Sequence, residues 1–168
     1  MSTYMPHRIL LLNRVVSAIG LAIWLILAAM FLGACVTTPE GARRPPTPTE
    51  LAAMDEPTWQ AYLGRVEYIA TMCGGIAVEH GMDADKVLEV AQALTAIEDP
   101  ARVDLYAVAV RAGVSPTLAA ILTVDAQALL DARGGLPGGP RGIEFLLRAA
   151  NAFVSGAASA EMARGARS

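Results

Sequence analysis

Few side chains in this 168-residue sequence can do chemistry, so the first matter is whether any stand at a working spacing. Two histidines are present, His7 near the start and His80 next to Glu79. Zinc held by one helix needs histidines four residues apart, and di-iron bundles need Glu-x-x-His with partner glutamates. Neither pattern occurs. Asp83, Asp85 and Glu89 invite a calcium reading, but an EF-hand loop needs ligands at alternate positions and glycine at the sixth. Counting from Asp83, the fifth and sixth positions are Val87 and Leu88, so these acids read as the first turn of a helix. Gly134-Gly135 and Gly138-Gly139 lack the Gly-Lys-Ser/Thr and the preceding strand of a phosphate-cradling loop, and read as a connector. Ser155 and Ser159 have no histidine to activate them. Cys73 shares a helix face with Val66, Ile69 and Ile76, which is a setting for core filler and not for a reactive thiolate. The expectation is a protein that is not an enzyme, with no catalytic residues, no metal and no cofactor.

Asp125 is the exception. Leu118, Ile121, Leu122 and Leu129 define an apolar arc on its helix, and Asp125 falls within it. A buried lone carboxylate is costly unless paired or protonated. The readings left open are an ion pair to Arg111 or Arg148, an exposed edge of the arc, or a buried polar site where a small apolar ligand binds beside the glycine-rich loop.

Helices must position these residues. Asp55-Glu56-Pro57 opens the first main helix, with acids at the N-terminus and proline just inside. It runs to about His80, where Gly81 stops it, and Trp59, Tyr62, Val66, Ile69, Cys73 and Ile76 share one face. Gly74-Gly75 within it cost about 1 kcal/mol each relative to alanine, which points to close approach of another helix. Asp83 caps a second helix with Val87, Val90, Ala91, Leu94 and Ile97 as its stripe. Asp99-Pro100 opens a third, residues 101–112, apolar nearly all round and so expected in the middle of a bundle. Ser115-Pro116 starts a fourth, to about Arg133. After Gly134 to Pro140, a last helix, residues 141–164, places Ile143, Leu146, Leu147, Ala150, Phe153, Val154 and Ala157 on one arc. Glu144 and Arg148 form an i,i+4 pair on it, and Gly156, Ala157, Ala158 and Ala160 thin its second half. No stretch alternates as a strand does. The fold class is all-α, a small bundle of four to five helices over residues 51–168.

Of the 13 basic residues only Arg8 and Arg14 precede Cys35, leaving 11 against all 16 acidic ones, a net of −5 for the remainder. Clustered positive charge is the footprint of nucleic-acid binding, so no nucleic acid is expected as partner. Cys35 and Cys73 are the only cysteines.

The segment that gives the chain an address is Val15 to Cys35, uncharged over 21 residues and preceded by Arg8 and Arg14. A charged start, an apolar core and small residues at its end describe an export signal. With Leu32, Gly33, Ala34 and Cys35 closing the run, the sequence resembles a bacterial lipoprotein precursor. That family's lipobox is an aliphatic residue, two small residues and the cysteine that is acylated and becomes the new N-terminus. The resemblance covers the first 35 residues alone. It implies cleavage after Ala34 with residues 1–34 as signal, and lipidation of Cys35. Val36, where inner-membrane retention would place aspartate, points to the outer membrane if the host has one. The run is also long enough to stay as an uncleaved span. Either way the C-terminal part lies outside the cytoplasm, in the cell envelope. Residues 36–50, with four prolines, read as a tether that holds the domain off the membrane. The functional expectation is a membrane-anchored envelope lipoprotein whose non-catalytic bundle binds or assembles with a protein partner. The alternatives are a single-span membrane protein with the same exterior bundle, phage-encoded or an envelope-stress component, and the ligand-binding bundle at Asp125.

Overall fold

The structure, a computed structural model, describes residues 36–37, 43–44 and 46–166. The apolar run, its closing Leu32, Gly33 and Ala34, and Cys35 lie outside the described residues. The described part is all-α, with six α-helices and one 3-10 turn. The exception is a minimal antiparallel pairing of β1 (Val36–Thr37) with β2 (Arg43–Arg44).

Helix α1 (Pro48–Ala53) lies partly inside the stretch read from sequence as tether. Thr47-Pro48-Thr49-Glu50 is a capping box: the Glu50 amide donates to Thr47 Oγ1 at 3.3 Å, and the Thr47 amide donates to Glu50 Oε2 at 2.7 Å. Leu51 inserts into the core, Pro46 is buried, and the Arg133 guanidinium donates to the Pro46 carbonyl. Pro46 and α1 therefore pack against the helices expected from residue 51 onward. Short-range proline content hid a capped helix.

Helix α2 (Glu56–Glu79) starts where expected, with the Asp55 carboxylate accepting from the Thr58 amide at 2.9 Å. Gly81, at φ 95°, carries the chain past its end. Trp59, Tyr62, Val66 and Cys73 are buried as their shared arc requires, together with Leu63, Ala70 and Ala77. Helix α3 (Ala84–Thr95) is capped by Asp83. The third expected helix divides in two. Pro100–Arg102 form a 3-10 turn, and Asp104 caps a separate α4 (Leu105–Arg111) by accepting from the Ala107 amide. α4 lies between α3 and α5 (Pro116–Ala132), away from the middle; Leu105, Val108 and Ala109 are buried, while Tyr106 and Val110 are exposed. The second aspartate cap, Asp104, was the missed signal.

The middle belongs to α2 and α6 (Gly139–Gly165), the two longest helices, with α3 packed on α6. Trp59 meets Glu144 at one end and Arg164 reaches the Val78 carbonyl at the other, so α2 and α6 run parallel. They touch backbone to backbone. A Cβ on Gly156 would lie 2.6 Å from the Thr71 carbonyl carbon, and one on Gly74 would lie 2.9 Å from the Ala157 nitrogen. The glycine pair in α2 and the thin half of α6 are thus two sides of one crossing.

The glycine-rich connector is docked. Leu136 and Pro137 are buried, and Gly135, at φ 84°, lies so close to the 3-10 turn that a Cβ would sit 2.6 Å from the Ala101 carbonyl oxygen. One end of the bundle thereby gathers the tether entry, α1, the N-termini of α2 and α6 and the C-terminus of α5.

Candidate interaction surface

Each residue singled out for chemistry has a structural place. Asp83 accepts from the Lys86 amide at 2.8 Å, and Lys86 pairs with Glu89, so two of the three calcium candidates serve the first turns of α3. His80 is the exposed C-cap residue of α2. Ser159 donates to the Ser155 carbonyl one turn back, which leaves its hydroxyl engaged within the helix. Cys73 is buried, and burial pushes its thiol above the ordinary cysteine range, away from thiolate chemistry. Among the described residues no three His, Cys, Asp or Glu side chains converge as metal ligands would.

Asp125 is exposed, which selects the exposed edge of the arc over a buried polar site. Helix α5 is apolar nearly all round, so counting its large residues does not select the buried face. The face turned inward carries Ala119, Thr123, Ala126 and Leu130 instead. Small residues admit the neighbouring backbone, and the larger Ile121 and Val124 are left outside. Of the two pairing candidates named for Asp125, Arg148 is committed elsewhere, to Glu144 at 3.2 Å and Glu67 at 3.3 Å.

The expected Glu144–Arg148 pair is present, and it belongs to a longer polar seam beside the α2–α6 crossing. Glu144 accepts from the Trp59 indole N–H at 2.8 Å, and Gln60 receives a 2.8 Å hydrogen bond from Arg148. The Trp59 hydrogen bond foremost, aided by Gln60 and Arg148, holds the Glu144 carboxyl below the usual glutamate range. Arg141 lies over the Trp59 ring, 5.2 Å from its centroid, and donates to the Leu51 carbonyl at 2.7 Å. This seam locks α1, α2 and α6 together. It is structural, and its groups are already satisfied by one another.

Two surface depressions are described. One of about 260 Å³ is lined by Glu98, Asp99, Arg102, Asp104 and Arg111, among others, and one of about 330 Å³ by Glu79, Ala160, Ala163 and Arg164. Both are open and ringed by charge, and neither includes Asp125. An apolar ligand needs an enclosed apolar site, so these depressions do not suit it.

What the surface does offer is apolar side chains on helix faces. On α2, Tyr68 and Met72 stand one turn apart, 68% and 50% exposed, with Arg65 beside them. On α5, Ile121 and Val124 are 68% and 61% exposed. Tyr, Met and Arg are the residue types enriched at the centres of protein–protein interfaces, which makes the α2 face a surface suited to a protein partner. The α5 face, aliphatic and nearly uncharged, has a different character. No described helix is long and apolar enough to cross a membrane. Comparison with protein-family models, with curated proteins and with solved structures returns no match.

Proposed function

We propose that this protein is a membrane-anchored lipoprotein of the cell envelope whose helical bundle works by binding a protein partner and not by catalysis. The observation that carries the reading is the sequence Leu32-Gly33-Ala34-Cys35 at the end of an uncharged run behind two arginines. Acylation of Cys35 by two or more chains gives stable attachment where one would not. The bundle supports a binding role through its composition of sites: a seam of polar groups that satisfy each other, a buried thiol, and an exposed Tyr68–Met72 face beside Arg65. The outer membrane is the destination implied by Val36 if the host has one.

Palmitate labelling of expressing cells, with and without the signal-peptidase inhibitor globomycin, tests the reading. Label on the wild-type chain, accumulation of a precursor under globomycin, and no label on Cys35→Ser support it. Absence of label on the wild-type chain contradicts it. The length of the apolar run favours one second reading, a retained single span bearing the same exterior bundle, and unlabelled protein that resists carbonate extraction would identify that state.

A further inference from the structure

Helix α5 leaves two branched apolar side chains exposed. Two polar side chains turn inward, while Thr117, Asp125 and Asp131 are exposed: Thr123 is buried and donates to the Ala119 carbonyl at 2.8 Å, and Gln127 donates to the Val103 carbonyl at 3.1 Å and accepts from the Leu105 amide at 2.9 Å. Its branched apolar side chains, Ile121 and Val124, turn outward with Ala128. The charged side chains of α5 are Asp125 and Asp131, which flank that strip.

The chain's attachment bears on what covers this strip. Arg133, the residue that follows α5, holds the Pro46 carbonyl, so the chain enters the domain at the C-terminal end of this helix. Of the residues before it, Val36–Thr37 pair antiparallel with Arg43–Arg44. Val36 pairs with Arg44, which brings their Cα atoms to about 5 Å, so Val36 lies within about 12 Å of Pro46 instead of the roughly 33 Å that ten extended residues would span. A tether drawn in by this pairing has a short reach. A chain anchored at or before Cys35 keeps the end of α5 at the bilayer surface.

We propose that α5 rests on the membrane, with Ile121, Val124 and Ala128 set among the lipid headgroups and upper acyl chains and Asp125 at the waterline. This rests on the anchoring proposed above, by lipid or by span. A second copy of the chain is the weaker candidate occupant. A helix of this length offers a strip of roughly 25 by 10 Å, well short of the roughly 800 Å² per partner that stable interfaces bury. An aliphatic strip beside a short attachment suits an interfacial helix.

The test uses the full chain, expressed in cells and reconstituted into vesicles of phosphatidylethanolamine and phosphatidylglycerol. The photo-reactive residue p-benzoylphenylalanine replaces Ile121 or Val124, and in controls Leu88 or Met162, which are exposed on other helices. After irradiation, intact mass reads the adduct, and far-UV circular dichroism checks that each variant is helical. Phospholipid adducts at positions 121 and 124, at least ten-fold above those at 88 and 162, are expected. A chain that remains in the vesicles yet gives no lipid adduct at 121 and 124, or gives chain-to-chain adducts there, overturns the inference and leaves the anchoring intact. A chain that does not associate with the vesicles overturns the anchoring and the inference with it.

Discussion

Replacing Gly156 by alanine should separate the two central helices. The new Cβ would stand 2.6 Å from the Thr71 carbonyl carbon and 2.9 Å from its Cα, and closer still to the carbonyl oxygen. All three are backbone atoms of α2, so no side chain can swing away. Ordinary carbon–carbon contact needs roughly 3.5 Å, and the helices must part by about 1 Å, which forfeits a quarter to a half of the dispersion energy at each contact along the crossing. Overpacking of this kind costs about 1–3 kcal/mol, and here its upper half applies because the obstruction is main chain. Alanine recovers up to about 1 kcal/mol of helix propensity, leaving a net loss of about 1–2 kcal/mol. Gly64, also in α2, supplies the control, because a Cβ there meets nothing within 4 Å. Gly64→Ala should stabilise by up to about 1 kcal/mol through propensity alone. Urea unfolding of the chain in mild detergent, followed by far-UV circular dichroism, reads both. Equal midpoints for the two variants would refute the claim that glycine is needed at the crossing.

Two further predictions concern pH. Tyr62 is buried beside Trp59 and Phe145, and burial pushes its phenol up to about 12. A raised folded-state value means that the contribution is whole below about pH 10 and is lost as pH rises toward 12, a loss on the order of 2–3 kcal/mol that Tyr62→Phe should abolish in alkaline urea titrations. Glu144 is shifted the other way, so its contribution is present above the ordinary glutamate value of about 4.3 and disappears as pH falls through its depressed folded value. The unfolding midpoint of Glu144→Gln should lie below wild type near neutrality and approach it under acid, and a constant difference across that range would count against the Trp59–Glu144 bond.

Much of this architecture is written locally. Asp55, Asp83 and Ser115-Pro116 mark helix starts, and Gly81 and Gly134 mark ends, because caps and positive-φ exits depend on a few adjacent residues. The crossing of α2 and α6 was legible as Gly74-Gly75 and the thin half of α6, although not that each would meet the other. One element, α1, and the buried face of another, α5, were missed for opposite reasons. In α1, prolines suggested an extended tether where Thr47 and Glu50 instead close a capping box. In α5, apolar residues surround the helix, so periodicity carries no direction and the fold chose the small face. That misplacement is what made Asp125 look buried. The polar seam from Trp59 to Arg148 was legible only as the local Glu144–Arg148 pair, since its other members lie more than eighty residues away along the chain.

The central claim is that Cys35 is the point of attachment. Its most direct test is the intact mass of the protein recovered from membranes of expressing cells, set beside a Cys35→Ser variant. The account predicts a wild-type chain lighter by residues 1–34 and heavier by its acyl chains, with both changes lost in the variant. An unprocessed, unacylated mass for both chains would contradict it.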